Sequence, residues 1–566
     1  MVASVAAKQG QFVPNSTAQA EGKDMKTNDN THEVSPKRMR LVVTASSAGT
    51  TFEWYDFFLG VPLAGLIAKL FFAGLGDTMG YLFALLSFAA GFAFRPLGAI
   101  VFGRMGDRLG RKATFLITTS LMGGATLAIG LLPTVESVGL LAPVLFVFLR
   151  ILQGMALGGE WGGAAIYIAE HARHAKRGYL TSFIGPAASI GLAAAMLVTL
   201  AVRTLTGEEA FAAWGWRIPF LLSGFLLAAS LWIRLKLHES PVFESLRKAN
   251  TRSTSPVRES FGQWRHLKLA VLALFSMMIA QGAIWFTTFF YSQSFLERIL
   301  KVPPRETDII LLIALAVSIP LYVFFGKLSD HIGRKPVMLF GIILAAVAIF
   351  PVFSGLREAA HPVLAHAVAT QPVVVQADAA RCTTQFDPVA AAKAVTQCDR
   401  VREVLAKRGV PYQLAAPAPG NTDILVMVGT TATAVDANAT PEAVTTQMTA
   451  ALANGGYPES ADPQKIDFLR AIGLLLILVV AATALYGPQA ACLVELFPAH
   501  IRYTALSLPY HIGTGWVGGF LPATAYALTL ANGDSLFGLW YPVGFATVAA
   551  VVMLLFLPET RHRSIH

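Results

Sequence analysis

Gly103-Arg-Met-Gly-Asp107-Arg108-Leu-Gly110-Arg111-Lys112 returns later in the chain as Gly326-Lys-Leu-Ser-Asp330-His-Ile-Gly333-Arg334-Lys335. Both copies read G-x-x-x-D-x-x-G-R-K, and each stands between two long apolar runs. A polar signature repeated at matching places in two hydrophobic halves points to an internally duplicated membrane transporter. A tight turn at a membrane face calls for Gly. Asp can pair with Arg there, or sit at a helix N-terminus, where the macrodipole favours an anion. Such a latch would hold two helices together in one state and release them in another. Its residues are Asp107, Arg108, Arg111 and Lys112 in the first copy and Asp330, Arg334 and Lys335 in the second. A single copy reads equally well as a charged turn that only obeys topology rules; two copies in register argue against chance.

Working outward, the chain is 54% hydrophobic and 14% charged, with a mean hydropathy of +0.56. Soluble domains carry roughly a quarter charged residues, so this composition indicates a polytopic membrane protein. Apolar runs of spanning length occur near 43–68, 79–102, 114–133, 141–168, 179–202, 215–235, 267–296, 307–326, 337–353, 467–490, 503–530 and 537–557. The expected fold class is an all-α membrane protein of twelve transmembrane helices in two pseudo-symmetric six-helix halves. The net charge of +10 does not imply nucleic acid, because the basic residues gather in short loops, as the positive-inside rule requires. Both latches fall on that inner side. Residues 1–40 read as a disordered cytoplasmic tail, polar and without the apolar stretch of a secretory signal. The remaining divisions are a first half over 41–235, a basic cytoplasmic linker over 236–266, helices 7–9 over 267–353, helices 10–12 over 467–557 and a cytoplasmic C-terminal tail over 558–566.

Residues 354–466 are too polar to span. They follow a helix that runs outward, so parity makes them an extracytoplasmic insert between helices 9 and 10. Gln397 to Gly409 and Val444 to Gly455 read as helices and Thr422 to Val428 as a strand. A small α+β domain is expected, with an unstructured loop as the alternative. Cys382 and Cys398 both lie in the insert. In an oxidising compartment a disulfide between them is expected, closing a loop whose stabilisation is about 3 kcal/mol in the chain-entropy model.

Ionisable groups inside a membrane segment are costly and therefore functional candidates. Glu53 and Asp56 share one helix face at a spacing of three, with Trp54 and Tyr55 between them. Removal from water favours the neutral form of a carboxyl, which suits proton pick-up and release. Pairing with a neighbouring arginine is the structural alternative. Arg95 lies just before Gly98, where a turn is expected, and about two turns above the first latch. It would take a substrate carboxylate through its planar fork, or else pair with Glu53 or Asp56. Glu160 is flanked by Gly158, Gly159, Gly162 and Gly163, which read as close helix packing. In the second half Gln281, Trp285 and Tyr291 are cavity candidates, though aromatic residues there also serve as packing or belt. Tyr486, Gln489, Tyr510, His511 and Trp516 continue that polar and aromatic theme.

Several segments resemble one family. They are Glu53-Trp-Tyr-Asp56-Phe57, Phe94-Arg95-Pro96-Leu97-Gly98, Arg150-Ile-Leu-Gln153-Gly154 continuing to Gly158-Gly-Glu160-Trp-Gly-Gly163, His238-Glu239-Ser240-Pro241, Glu495-Leu-Phe-Pro498 with Arg502, and Pro558-Glu559-Thr560. Together they resemble the metabolite:proton symporter branch of the major facilitator superfamily. The resemblance implies a role in proton coupling for Arg150, with Gln153 beside it on the same helix. It also implies alternating access about a central site. The insert departs from the well-known members, as does Gly60-Val61-Pro62 on helix 1, where members often carry a Tyr-Gly pair. The long helical C-terminal extension of osmosensing members is also missing.

These readings converge on a symporter that takes up a small organic acid or zwitterionic metabolite, with protons as coupling ion and no other cofactor or metal. It would sit as a monomer in a bacterial inner membrane, its partners being the substrate and the lipid bilayer, with both termini cytoplasmic. A proton-coupled exporter of the same fold remains an alternative, as does a membrane sensor that uses the insert to bind ligand. No phosphate-cradling loop or catalytic triad pattern accompanies these motifs, which argues against an ATP-driven pump or an enzyme.

Overall fold

Apolar stretches that must satisfy their own backbone in hydrocarbon form helices, and the architecture follows from that. The structure is a computed structural model and describes residues 36–565 except 74–75, 237–238, 252, 379–381, 383–395, 418–423 and 437. Most of the expected N-terminal tail, His238 and the start of the strand expected at Thr422 lie outside the described residues. The first group of helices is α1 (Pro36–Phe58), α2 (Ala64–Phe71), α3 (Gly76–Arg108), α4 (Arg111–Leu131), α5 (Leu141–His171), α6 (His174–Thr206) and α7 (Arg217–Leu235). The second is α8 (Trp264–Ile299), α9 (Pro304–Ile332), α10 (Arg334–Ala360), α11 (Phe468–Leu496), α12 (Arg502–His511), α13 (Leu521–Asn532) and α14 (Phe537–Phe556). Among the described residues, ten helices are long and apolar enough to cross a membrane.

The other two expected spans are interrupted. α1 stops at Phe58 and the chain turns before α2 begins. Gly60 and Pro62 occupy that turn, and Pro supplies no N–H to continue the helix. Val61 N–H donates to Phe58 O at 2.9 Å, so the Phe57 carbonyl is released from the ladder. The eleventh span is α12, a π-helical stretch over Ile512–Gly518, and then α13. α8 carries π-turns at Leu274–Met278, Thr287–Tyr291 and Phe295–Ile299. Such turns recur at functional sites. α8 and the Ile512–Gly518 stretch approach so closely that a Cβ on Gly282 would meet the Gly513 backbone.

Within the first group α3 packs along α5 and α4 along α7; within the second α10 packs along α11. The groups meet where α3 touches α12 and where α9 touches α6. Arg95 is not followed by a turn, because α3 runs unbroken through Pro96 and Gly98. Gly98 instead admits α5, since a Cβ there would run into the Met155 backbone, and Gly154 admits the Gly91 backbone in return. The latches are turns: Gly110 and Gly333 take the same left-handed conformation, φ 111° and 108°, which only glycine adopts without strain.

Several boundaries differ from expectation. α1 begins at Pro36, inside the expected tail, and α8 begins at Trp264, inside the expected linker. α10 continues to Ala360 rather than ending at 353: Leu356, Ala359 and Ala360 are buried, and Ala359 O accepts from Asp467 N at 2.9 Å. Residues 558–565 are not a free tail, since Thr560 and Ile565 are buried. The insert is an α+β domain. Its strands β1 (Val373–Gln376), β2 (Tyr412–Ala415), β3 (Ile424–Val428) and β4 (Thr431–Val435) lie in the order β2-β1-β3-β4. β1 and β2 are parallel, joined through the helix Gln397–Lys407, and the other pairs are antiparallel. That helix packs against a second, Pro441–Asn454. Val401, Leu405, Val426, Val428, Val444 and Met448 are buried in the domain. It docks on the end of the bundle opposite the latches, where Tyr412 N–H donates to Gly533 O and Ala461 N–H to Lys301 O, both at 3.0 Å.

Cys382 and Cys398 form a disulfide, with Cα atoms 5.3 Å apart, while Cys492 is free and buried. Non-reducing peptide mapping should therefore recover the Cys382–Cys398 pair. Cys398→Ser should destabilise the insert by about 2–4 kcal/mol, read as faster proteolysis within residues 361–466. A Cys382 that alkylates without reductant would contradict the pairing.

Candidate functional site

α1 buries Glu53 and Asp56 against α4, α5 and α7. Asp56 is buried and accepts from Ser223 Oγ of α7 at 2.5 Å. Thr126 of α4 lies beside it and takes a hydrogen bond from Gln153 Nε2 at 2.7 Å. Gln153 Oε1 in turn accepts from Arg150 Nη1 at 3.0 Å. The same Nη1 lies 3.2 Å from Phe57 O, the carbonyl that the α1 break released. Gly60 makes this possible, since a Cβ there would occupy the place of the Arg150 guanidinium. The Gly60-Val61-Pro62 departure thus builds the Arg150 pocket. Thr126 thus joins Asp56 to Gln153 and Arg150 in one polar chain. Glu53 is held elsewhere, on Arg234 of α7 at 3.2 Å together with Glu160 of α5.

Arg95 is arranged differently from every other arginine in this region. Its Nε, Nη1 and Nη2 have no hydrogen-bond partner among the described residues, although the side chain is buried. It pairs with neither Glu53 nor Asp56. The guanidinium lies over the rings of Trp54, Phe57 and Phe92 at 4.9, 4.8 and 4.6 Å from their centroids. Cation–π contacts of this kind are worth about 2 kcal/mol when desolvated, far less than the cost of an unpaired buried charge. Tyr486 and Tyr510 stand near it, their hydroxyls 3.1 Å apart, with Trp161 stacked on Tyr510 at 3.7 Å. His511 has both ring nitrogens unpartnered, and so are the Oε1 atoms of Gln281 and Gln489. The arrangement offers a desolvated cation with its donors free, which is suited to an anion.

The other expected cavity residues are placed as follows. Tyr55 OH donates to Pro219 O at 2.9 Å and Trp285 Nε1 to Tyr322 OH at 2.9 Å. Tyr291 lies among Phe295 and Phe353, with its hydroxyl 3.4 Å from Thr529. Tyr55 and Tyr291 are thus tied into the bundle wall and do not join the Arg95 cluster. The glycines of α5 are packing positions, as expected: Gly158 meets the α3 backbone at Arg95, and Gly163 meets Tyr503 of the second group.

Each latch aspartate caps a helix of the opposite group. Asp107 accepts from Tyr503 N (3.2 Å), Thr504 N (2.9 Å) and Thr504 Oγ1 (2.8 Å). Asp330 accepts from Gly178 N (2.9 Å) and Tyr179 N (2.7 Å). Arg111 reaches Asp107 at 3.6 Å and Glu170 at 3.3 Å. Arg334 reaches Asp330 at 2.7 Å and Glu495 at 3.3 Å. The correspondence extends outward: Arg502 pairs with Glu170, and Arg177 with Glu495, both at 2.9 Å. Glu239 accepts from the Arg111 and Lys112 amides, and Glu559 from the Arg334 and Lys335 amides. Lys112 and Lys335 each donate Nζ to a helix-end carbonyl at 2.9 Å, whereas Arg108 is exposed. Glu170, Glu239, Glu495, Arg502 and Glu559 were not expected as latch residues, nor was Arg234 as a site residue. Most of them stand in or beside the quoted motifs, and a search for partners of each buried charge would have found them.

Comparison with known proteins agrees with this geometry. The Major Facilitator Superfamily profile matches residues 48–356. The shikimate transporter of Escherichia coli (strain K12) is 36% identical over 332 residues, covering 57% of this chain and 74% of that protein. A putative proline/betaine transporter of Staphylococcus aureus (strain MSSA476) is 34% identical over 317 residues, covering 55% of this chain and 67% of that one. The fold is similar to the solved proton:xylose symporter XylE bound to 6-bromo-6-deoxy-D-glucose, with a TM-score of 0.63 at 15% identity over 93% of this chain and 97% of that one. With its duplicated latches, its apolar helices and these relatives, the chain belongs to the major facilitator superfamily of membrane transporters.

Proposed function

We propose that this protein is a proton-coupled symporter for a small carboxylate, organic acid or zwitterion, working as a monomer in a bacterial inner membrane. The observation that carries the reading is Arg95, a buried guanidinium whose donors have no acceptor among the described residues. A substrate carboxylate would satisfy them bidentately. The relatives named for shikimate and for proline/betaine fit that class, since each of those molecules bears a carboxylate. The interrupted spans complete a set of twelve helices in two six-helix halves, with the latches and both termini on the cytoplasmic side and the insert outside. Asp107 and Asp330 then close the cytoplasmic end by capping the partner half, and transport requires both caps to part. Asp56, linked through Gln153 to Arg150, and Glu53 on Arg234 are the carboxyl groups available for the coupling proton. Uptake in right-side-out vesicles separates this from export.

A thermal-shift screen of purified protein against organic acids and betaines should yield a ligand that raises the melting temperature by mass action. For that ligand, Arg95→Gln should weaken binding by about 1.5–3 kcal/mol, roughly ten- to hundredfold. An equal shift in the variant would remove Arg95 from the substrate site.

Cys492 offers a native reporter for the latches, being free, buried and on α11 close to Glu495. Asp107→Ala and Asp330→Ala each delete charge-assisted helix caps of about 1.5–3 kcal/mol per bond. Both should raise the rate at which a permeant maleimide labels Cys492, and both should slow uptake, with Asp330→Ala similar or milder. Wild-type labelling and turnover in both would leave the repeated motifs as topology signals alone.

A further inference from the structure

The Glu53 side of α1 holds a charge arrangement that the motifs did not disclose. Arg234 Nη1 lies 3.2 Å from Glu53 Oε1 and 3.1 Å from Glu160 Oε2, and Nη2 bonds Glu160 Oε1. Thr119 Oγ1 donates to Glu53 at 2.9 Å and Thr118 Oγ1 to Glu160 at 3.2 Å. All three charged side chains are buried. Two carboxyl groups therefore share one guanidinium. Two anions on one cation leave one negative charge unmatched, and a proton on either carboxyl removes it. Glu53 Oε2 has no donor from the protein. With one proton the set is neutral; without it a net negative charge stays in a dry site, at a cost of several kcal/mol.

The surroundings of this set are defined on every side. α1 supplies Glu53, with Asp56 one turn on and committed to Ser223. α4 supplies the two threonines and the Phe115 ring, 4.9 Å from the Arg234 guanidinium. α5 supplies Glu160 and α7 supplies Arg234. α12, from the other half, supplies Tyr503, whose hydroxyl donates to Gly159 O at 2.5 Å and whose amide donates to Asp107. Tyr503 thus reaches from the Gly159 carbonyl, next to Glu160, to Asp107 of the first latch.

We propose that Glu53, Glu160 and Arg234 form a one-proton store, with Arg234 as its positioning residue, and that withdrawal of Tyr503 on latch opening admits water to it and lets the proton go inward. The balance is simple: one proton binds a carboxylate oxygen on the outer-facing side of the cycle and leaves to water on the inner-facing side. This rests on the proton-coupled reading above.

The test uses full-length protein in liposomes with the ligand from the thermal-shift screen. Wild type is measured first, and failure of an imposed pH gradient to drive accumulation would overturn proton coupling itself. With wild type driven, Glu53→Gln and Glu160→Gln should each cut accumulation by about tenfold or more and flatten the pH dependence of counterflow. Arg234→Lys keeps the charge but loses the fork, and should displace that pH profile rather than flatten it. A wild-type pH profile in both glutamine variants, with a flat one in Asp56→Asn, would overturn the store and place the proton on Asp56. A reading that does not depend on folding of these variants comes from infrared spectroscopy. Asp56→Asn protein should show a protonated carboxyl stretch at neutral pH, and its absence would also overturn the store.

Discussion

Charge taken out of water has to be neutralised, and the structure is organised by that requirement. The bundle buries arginines on α3, α4, α5, α7, α10 and α12. Arg111, Arg234, Arg334 and Arg502 each meet carboxylates, and Arg150 meets a carbonyl and an amide. Arg95 alone among these has its donors free, resting on three aromatic rings. The aromatic floor offsets only part of the cost of burying that charge. The same requirement that pairs the latch charges therefore makes unpaired Arg95 stand out.

The latches show how a duplicated sequence builds matching contacts between the two groups of helices. Each aspartate accepts amides at the start of a helix in the opposite half, where the helix dipole adds to the hydrogen bonds. Each arginine then joins its aspartate to a glutamate at the end of a long helix, Glu170 on α5 or Glu495 on α11. The glutamates Glu239 and Glu559 cap the helices that follow the latch turns. The aspartate caps, the arginine bridges and the glutamate caps of the first set all recur in the second, while the Thr504 hydroxyl bond to Asp107 is peculiar to the first.

The insert obeys different physics. Its sheet and two helices enclose their own small core, stapled by Cys382–Cys398, and its place at the end of a helix pair lets it fold without disturbing the bundle. Its contacts run to residues at the ends of α8 and α13. Those helices also carry or adjoin the π-turns, so the domain sits over the most irregular helices of the second half.

Much was legible in the sequence because hydropathy, turn chemistry and repetition act locally. Apolar length set the helices, the paired glycines set the latch turns, and a strand-like run with two helical ones announced the α+β insert. The end of α10 lies beyond the apolar run, because the burial of Leu356 and Ala360 depends on partners that lie far off in the chain. The glutamine, threonine and arginine links of the site were hidden for the same reason. Spacing puts Glu53 and Asp56 on one face of α1, but nothing local says that Glu53 will meet Arg234 while Asp56 meets Ser223. Nor does it say that Arg95 will meet no carboxylate at all. Helix formation and membrane insertion depend on neighbours within a few residues, so the sequence alone determined the elements and their kind. Pairing of buried charges depends on which helix faces adjoin across the bundle, so only the tertiary structure decided which of the candidates are satisfied and which one is left to bind.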